Sequence, residues 1–279
     1  AGGDPRKAAV DRELMPGVVH VEDPYCYRCP WGQKAGACAY ECTQHVERVI
    51  QFEGPQTVAA ILMEGESGSS GCIKYPPLYW EKIKEIADKY EILIIVDEVM
   101  SGFGRCGQWF AIQNTTVQPD ILVMAKGLTS GYVPLGGVIV TDFIADFFNE
   151  VPLPLRLTYS AHALACAAGL ATIEVYENEK LIERTKKMEL LLVEKLDALS
   201  DKHPSIGDCR VTGLLACIEL VKNRKTKEPM VPWNAKPSEM TEMNPLIHSL
   251  REQGLFTFVR WNFVFIAPPL TITESELDE

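Results

Sequence analysis

Two residues carry chemistry by their type and place. Asp97 closes the apolar run Ile92-Leu-Ile-Ile-Val96 and is followed by Glu98. Lys126 follows a second apolar run, Ile121-Leu-Val-Met-Ala125, and opens the stretch Gly127-Leu-Thr-Ser-Gly131. An amine and a carboxylate at the C-terminal ends of two buried strands are what pyridoxal phosphate chemistry requires. The lysine condenses with the cofactor's aldehyde as a Schiff base. The carboxylate keeps the pyridine nitrogen protonated, so that the ring accepts an electron pair. Asp97-Glu98 at a strand end also resembles a Mg²⁺-holding strand of nucleotide hydrolases. That reading requires a Gly-x4-Gly-Lys-Ser/Thr loop, which the chain lacks.

The elements that must position these residues follow from apolar patterning. Val58–Met63, 92–96, 121–124 and 136–141 read as strands, the first ending at Glu64. Thr43–Phe52 and Leu78–Tyr90 have helical spacing. Apolar strands without polar alternation, separated by helices, indicate a mostly parallel sheet covered on both faces. Ligands of such sheets bind beyond the C-terminal strand ends, where Glu64, Asp97 and Lys126 all fall. Ser160 is placed to cap a helix over 161–178. A second helix over 179–200 carries the stripe Leu181, Met188, Leu192, Leu196 and Leu199. Arg210–Val221 reads as one strand, 222–240 as a surface loop, 243–253 as a helix and 255–260 as a strand. We therefore expect an α/β domain over 1–178 and a smaller α+β domain over 179–279.

Bulk properties narrow the function. A net charge of −11 argues against nucleic acid or an anionic membrane as partner. No apolar run approaches the ~18 residues of a membrane-spanning helix. Nine cysteines in a chain of 279 residues fit reduced thiols in the cytoplasm better than a disulfide framework. Cys26, Cys29, Cys38 and Cys42, with His45 nearby, have gaps that a zinc knuckle tolerates. Pro30, Trp31 and two glycines interrupt them, and irregular coil with free thiols is the preferred reading, with no metal expected. The chain starts without Met, and Thr273-x-x-Glu276 opens a helix only three residues from the end. We expect a chain shortened at both ends.

Leu93-Ile-Ile-Val-Asp-Glu-Val99 with Gly102-Phe-Gly-Arg105, Pro119-Asp-Ile with Ala125-Lys-Gly-Leu128, Thr158-Tyr-Ser-Ala-His162 and Ala267-Pro-Pro-Leu-Thr-Ile-Thr273 together resemble the class III (subgroup II) aminotransferases. These are fold-type I pyridoxal phosphate enzymes. Pro24-Tyr-Cys-Tyr-Arg-Cys-Pro30 and Phe258-Val-Arg-Trp-Asn262 look most like the branch that passes amino groups from taurine, β-alanine and other ω-amino acids to pyruvate. The resemblance implies that Lys126 is the Schiff-base lysine and proton carrier and that Asp97 anchors the pyridinium. It implies that Val99 packs on the ring and that Glu98 lies among the cofactor contacts. Thr158 would bind the phosphate of a neighbouring subunit's cofactor, implying a homodimer or a tetramer. Glu64 would border the substrate pocket, with Arg260 reading the substrate's acidic group. The chain departs from the family pattern at Ala161, Ala163 and Met100, and at Phe265, where many members carry a substrate-binding arginine. The glycine-rich phosphate turn and the aromatic residue that stacks on the cofactor are absent. A racemase or decarboxylase on the same scaffold, or a non-catalytic partner protein, are the alternative expectations.

Overall fold

The β-branched runs of the first half form one four-stranded sheet, and those of the second half form another. Both are seen in the computed structural model, which describes residues 15–155 and 157–278. The expectations for residues 1–14 lie outside them. Helix α1 (Glu41–Glu53) buries Cys42, Val46 and Ile50 on one side and stops at Gly54, whose φ of 89° precedes Pro55. Strand β1 (Ala60–Glu64) follows. Helix α2 (Tyr79–Tyr90) begins after Pro76-Pro77 and buries Tyr79, Trp80, Ile83, Ile86 and Ala87. Its apolar side packs α1 on one flank and the sheet on the other.

Strands β2 (Leu93–Asp97) and β3 (Ile121–Met124) run parallel to β1, in the order β1-β2-β3. Strand β4 (Gly137–Val140) then pairs β3 antiparallel, which corrects the expectation of a further parallel strand. The physical reason is the lack of a crossover helix: a parallel return usually runs through one, and 125–136 holds only a 3₁₀ turn at Lys126–Leu128. Full cover of both faces is not met either. Ile94 and Val96 are buried, whereas Leu62 on the opposite face is 51% exposed and Val138 62%.

Three helices follow. Helix α3 (Asp142–Glu150) was not foreseen and keeps Phe143 and Phe147 exposed. Helix α4 (Ala163–Asn178) begins two residues later than expected. His162 holds the cap position, while the Ser160 hydroxyl donates to the Leu157 carbonyl at 2.8 Å instead of capping. Helix α5 (Leu181–Lys202) buries Leu181, Met188, Leu192 and Leu196, but Leu199 is left 36% exposed.

The expected strand over 210–221 is a hairpin of two strands, β5 (Ile206–Thr212) and β6 (Leu215–Asn223). Gly213 makes the turn with φ of 61°, and a Cβ there would lie 2.5 Å from the Arg105 carbonyl. The short β7 (Glu228–Pro229) pairs β6. Helix α6 (Asn244–Glu252) precedes β8 (Val259–Arg260) and β9 (Phe263–Ile266), which complete the sheet β5-β6-β9-β8. The expected strand over 255–260 thus contracts to two residues, and β9 was not foreseen. Thr273 and Glu276 cap helix α7 (Glu274–Asp278) reciprocally, as their spacing predicts: Thr273 N–H donates to Glu276 Oε2 at 2.8 Å and Glu276 N–H to Thr273 Oγ1 at 3.2 Å. One apolar cluster joins both halves, with Phe103, Leu128 and Tyr176 packed among Leu192, Leu214 and Phe263.

Candidate active site

Register brings the acidic side chains together. Glu64 is the partner of Asp97 across β1 and β2, and Asp97 is the partner of Val123 across β2 and β3. Side chains alternate along a strand, so Glu64 and Asp97 share one face, the one on which Leu62 and Val138 stay open. The Lys126 turn begins three positions past Val123, at the same end of the sheet.

Each of the three is fixed differently. Asp97 accepts the Val99 N–H at 2.9 Å, an Asx turn that holds the carboxylate at the strand end and makes Val99 its neighbour. Glu64 accepts the Gly68 N–H at 2.5 Å, and its carbonyl receives the Tyr75 hydroxyl at 2.8 Å. Burial raises the Glu64 carboxyl above its usual range, the Asp97 charge adds to this, and Lys126 opposes it. The influence of Asp97 and Lys126 on Glu64 puts the three groups within one electrostatic neighbourhood.

Lys126 occupies a left-handed conformation with φ of 43°, and its side chain is exposed. A non-glycine residue in this region is held by its surroundings. Gly127 allows it: a Cβ there would meet Phe103 at 2.7 Å, and its carbonyl receives the Tyr176 hydroxyl at 3.0 Å. Helix α4 therefore braces the lysine turn, an arrangement that no local signal around Tyr176 disclosed.

Glu98 is corrected as a cofactor contact. It is fully buried, and its carboxylate accepts the Ser101 hydroxyl at 2.6 Å, Ala111 N–H at 3.0 Å and Ile112 N–H at 2.8 Å. It fastens the turn beneath the site, and a Cβ on Gly65 would lie 2.3 Å from its Oε1. Arg260 Nη1 donates to the Ser69 carbonyl at 2.9 Å and its guanidinium lies 4.3 Å from the Trp261 ring centre. Glu64 and Arg260 thus hold the same glycine-serine loop, one at Gly68 and one at Ser69. Thr158 is exposed in the turn before α4. Phe265 is buried against Phe258 and Phe263, so no charged group is presented from its position.

Arg105 was not singled out as a positioning residue. Its Nη1 donates to the Leu214 carbonyl at 2.9 Å and the Pro268 carbonyl at 2.6 Å. It ties the Gly-Phe-Gly-Arg turn to the β5–β6 hairpin and to the Ala-Pro-Pro segment. Cys26, Cys29 and Cys38 are half-buried and Cys42 is buried, all as free thiols. Burial pushes the Cys42 thiol up to about 11. Among the described residues no group of three or more acidic, histidine or cysteine side chains is arranged to hold a metal ion, and no helix is long and apolar enough to cross a membrane.

The donor set fits pyridoxal phosphate: an accessible amine, a carboxylate fixed at the same end of the sheet, and glycines where the backbone must pass closely. Comparison with known proteins bears on this site. The sequence matches the family described as "Aminotransferase class-III" over residues 6–279. It is 38% identical to the putrescine–pyruvate aminotransferase of Pseudomonas aeruginosa over 95% of this chain and 57% of that one. It is 35% identical to a leucine/methionine racemase of Thermococcus litoralis, over 94% of this chain and 57% of the relative. The crystal structure of taurine:2-oxoglutarate aminotransferase from Bifidobacterium kashiwanohense, in complex with pyridoxal phosphate and glutamate, superposes with a TM-score of 0.92 at 41% identity. That match covers 100% of this chain and 62% of the other. The chain therefore spans about three fifths of the length of these proteins.

Proposed function

The chain belongs to the class-III aminotransferases, and from that premise we propose that it carries the lysine and carboxylate of a transaminase acting on an ω-amino donor, taurine, β-alanine or similar, and a 2-oxo acid such as pyruvate. Class-III aminotransferases are fold-type I pyridoxal phosphate enzymes. The observation that supports the reading most is the alignment of Glu64, Asp97 and the Lys126 turn at one end of three neighbouring strands.

When bound, the cofactor supplies an electron sink for the carbon–hydrogen bond that the amino donor must release. The chain's residues do the rest. Asp97, held by Val99 N–H, presents a carboxylate to a protonated ring nitrogen. Lys126 Nζ takes the proton from the donor carbon and returns it on the other side of the reaction. Glu98, though no contact itself, keeps Asp97 and Val99 in place by anchoring the turn that follows them. Glu64 and Arg260 border the entry through their shared loop, and Arg260 reads the acidic end of the substrate. Since Phe265 offers no charge, Arg260 takes that task alone on this segment.

Thr158 serves the phosphate of a neighbouring subunit's cofactor in a homodimer. Exposed Leu155, Leu157, Tyr159 and Leu164 around it support an apolar contact there. The free thiols support a cytoplasmic setting. A panel of donors incubated with pyruvate, with alanine formation as readout, tests the donor class. Alanine formation from taurine or β-alanine is expected; none from any ω-amino donor contradicts it. The similarity to a racemase supports a second reading on the same residues. A strict requirement for a 2-oxo acid with ping-pong kinetics separates the two, since racemisation needs no second substrate.

A further inference from the structure

Arg210 stands on strand β5, in the second half of the chain, yet it holds the loop that leaves Glu64. It is 6% exposed, and its guanidinium forks between two tasks. Nη1 reaches Asp208 Oδ2 at 2.6 Å and Glu219 Oε2 at 2.9 Å, both on the second sheet. Nε donates instead to the Gly71 carbonyl at 2.8 Å. Gly71 permits that approach. Its φ is 116°, and a Cβ there would lie 3.2 Å from the Phe263 ring and 3.4 Å from Arg210 Nη2.

From Gly71 the hold passes up the loop through backbone hydrogen bonds. The Gly71 and Cys72 N–H groups both donate to the Gly68 carbonyl, at 3.2 and 2.9 Å. The Gly68 N–H donates to Glu64, and the neighbouring Ser69 carbonyl receives Arg260. The turn Gly68–Gly71 therefore lies between Arg210 on one side and both entry residues on the other.

The arrangement is a poor route to stability alone. Taking a guanidinium out of water between carboxylates loses hydration that offsets most of the attraction. Glu219 is fully buried, and it already has Arg28 Nε as a charged partner and the Tyr25 hydroxyl as a donor. What a planar fork with fixed donor directions adds is geometry.

We propose that Arg210 is a positioning residue for the substrate entry. By holding Gly71 it sets the Gly68–Gly71 turn, and through that turn the places of Glu64 and Arg260. This rests on the reading of Arg260 as the residue that meets the donor's acidic end.

Two variants and a control test it. Arg210→Met removes the donor and leaves Glu219 paired with Arg28. Arg210→Lys keeps a charge beside Asp208 and Glu219 but lacks the Nε arm. Asp208→Asn, the control, weakens one side of the fork and keeps the Gly71 bond. The first readout needs no cofactor. It is the Gly68 amide signal in ¹H–¹⁵N NMR, whose downfield position reports the hydrogen bond to Glu64. Both Arg210 variants are expected to move it upfield, and Asp208→Asn to leave it in its native place. The second readout is transamination to pyruvate from β-alanine and from propylamine, the same donor without its acid. In both Arg210 variants the KM for β-alanine is expected to rise about tenfold, the scale of one lost hydrogen bond to a charged group, with kcat held within about twofold and the KM for propylamine unchanged. A native protein that uses neither donor contradicts the proposed function alone, and the Gly68 signal then decides the role of Arg210. That role is overturned if the Gly68 signal stays in place in both Arg210 variants, if KM rises equally for the two donors, or if Asp208→Asn reproduces the changes.

Discussion

At the residue scale, one property distinguishes three acids, Asp97, Glu98 and Glu66: what each carboxyl faces. Asp97 has a single backbone donor and stands at the open sheet end. Glu98 has three donors and no exposure, so replacing it leaves buried N–H groups without acceptors. Glu98→Ala is expected to cost about 3 kcal/mol, read as a lower urea midpoint. Glu66 has burial without full satisfaction, and its carboxyl is pushed up to about 8 from 4.5, mainly by desolvation, with Lys74 opposing and Glu98 and Glu189 reinforcing. A carboxyl whose folded pKa is raised binds more protons folded than unfolded, so its contribution to stability falls as pH rises from about 4.5 to about 8. Glu66→Gln is therefore expected to stabilise the protein relative to the native chain at pH 9 and to have little effect at pH 5, measured by thermal unfolding at both. A mutant equally destabilised at both values contradicts this. The sequence announced Asp97 and Lys126 because each ends an apolar run. It did not separate Glu98 from Asp97, since adjacent acids look alike until alternation turns one inward to Ser101, Ala111 and Ile112.

At the scale of elements, the linkage between distant segments passes through Arg105 and the Gly213 turn. Arg105 donates to Leu214 and Pro268, and the Arg105 carbonyl receives the Leu214 N–H at 2.9 Å. Gly213→Ala drives a methyl group into that carbonyl from a conformation that also disfavours a side chain. It is expected to destabilise by about 1–3 kcal/mol, as overpacking does, seen as a reduced urea midpoint. The long periodic helices and the first three strands were legible because burial repeats along them. Strand β4's direction was not, since its apolar residues say nothing of how the chain returns. The split of 206–223 into two strands hinged on Gly213, inside a stretch that reads as one strand. Helix α3 was missed although Phe143, Ile144, Phe147 and Phe148 recur at helical spacing, and Ser160 was misassigned because its hydroxyl found a local carbonyl.

At the scale of the molecule, the two sheets share a core. Phe103, Leu128 and Tyr176 from one half pack with Leu192, Leu214 and Phe263 from the other. A division of the chain near residue 178 is our proposal for how it is organised, and the shared core predicts that its parts unfold together. A single cooperative transition, seen identically by far-UV dichroism and tryptophan fluorescence, is expected; two separated transitions contradict it. The lysine turn depends on the same core, because Tyr176 and Phe103 hold Gly127. The central claim is that Lys126 and Asp97 form a working pair for pyridoxal phosphate. The most direct measurement is a cofactor titration followed by visible absorption, with native protein and Lys126→Ala side by side. The account predicts a visible Schiff-base band that saturates in the native protein, discharges when a reactive amino donor is added, and is absent in Lys126→Ala. An identical spectrum for the two proteins contradicts it.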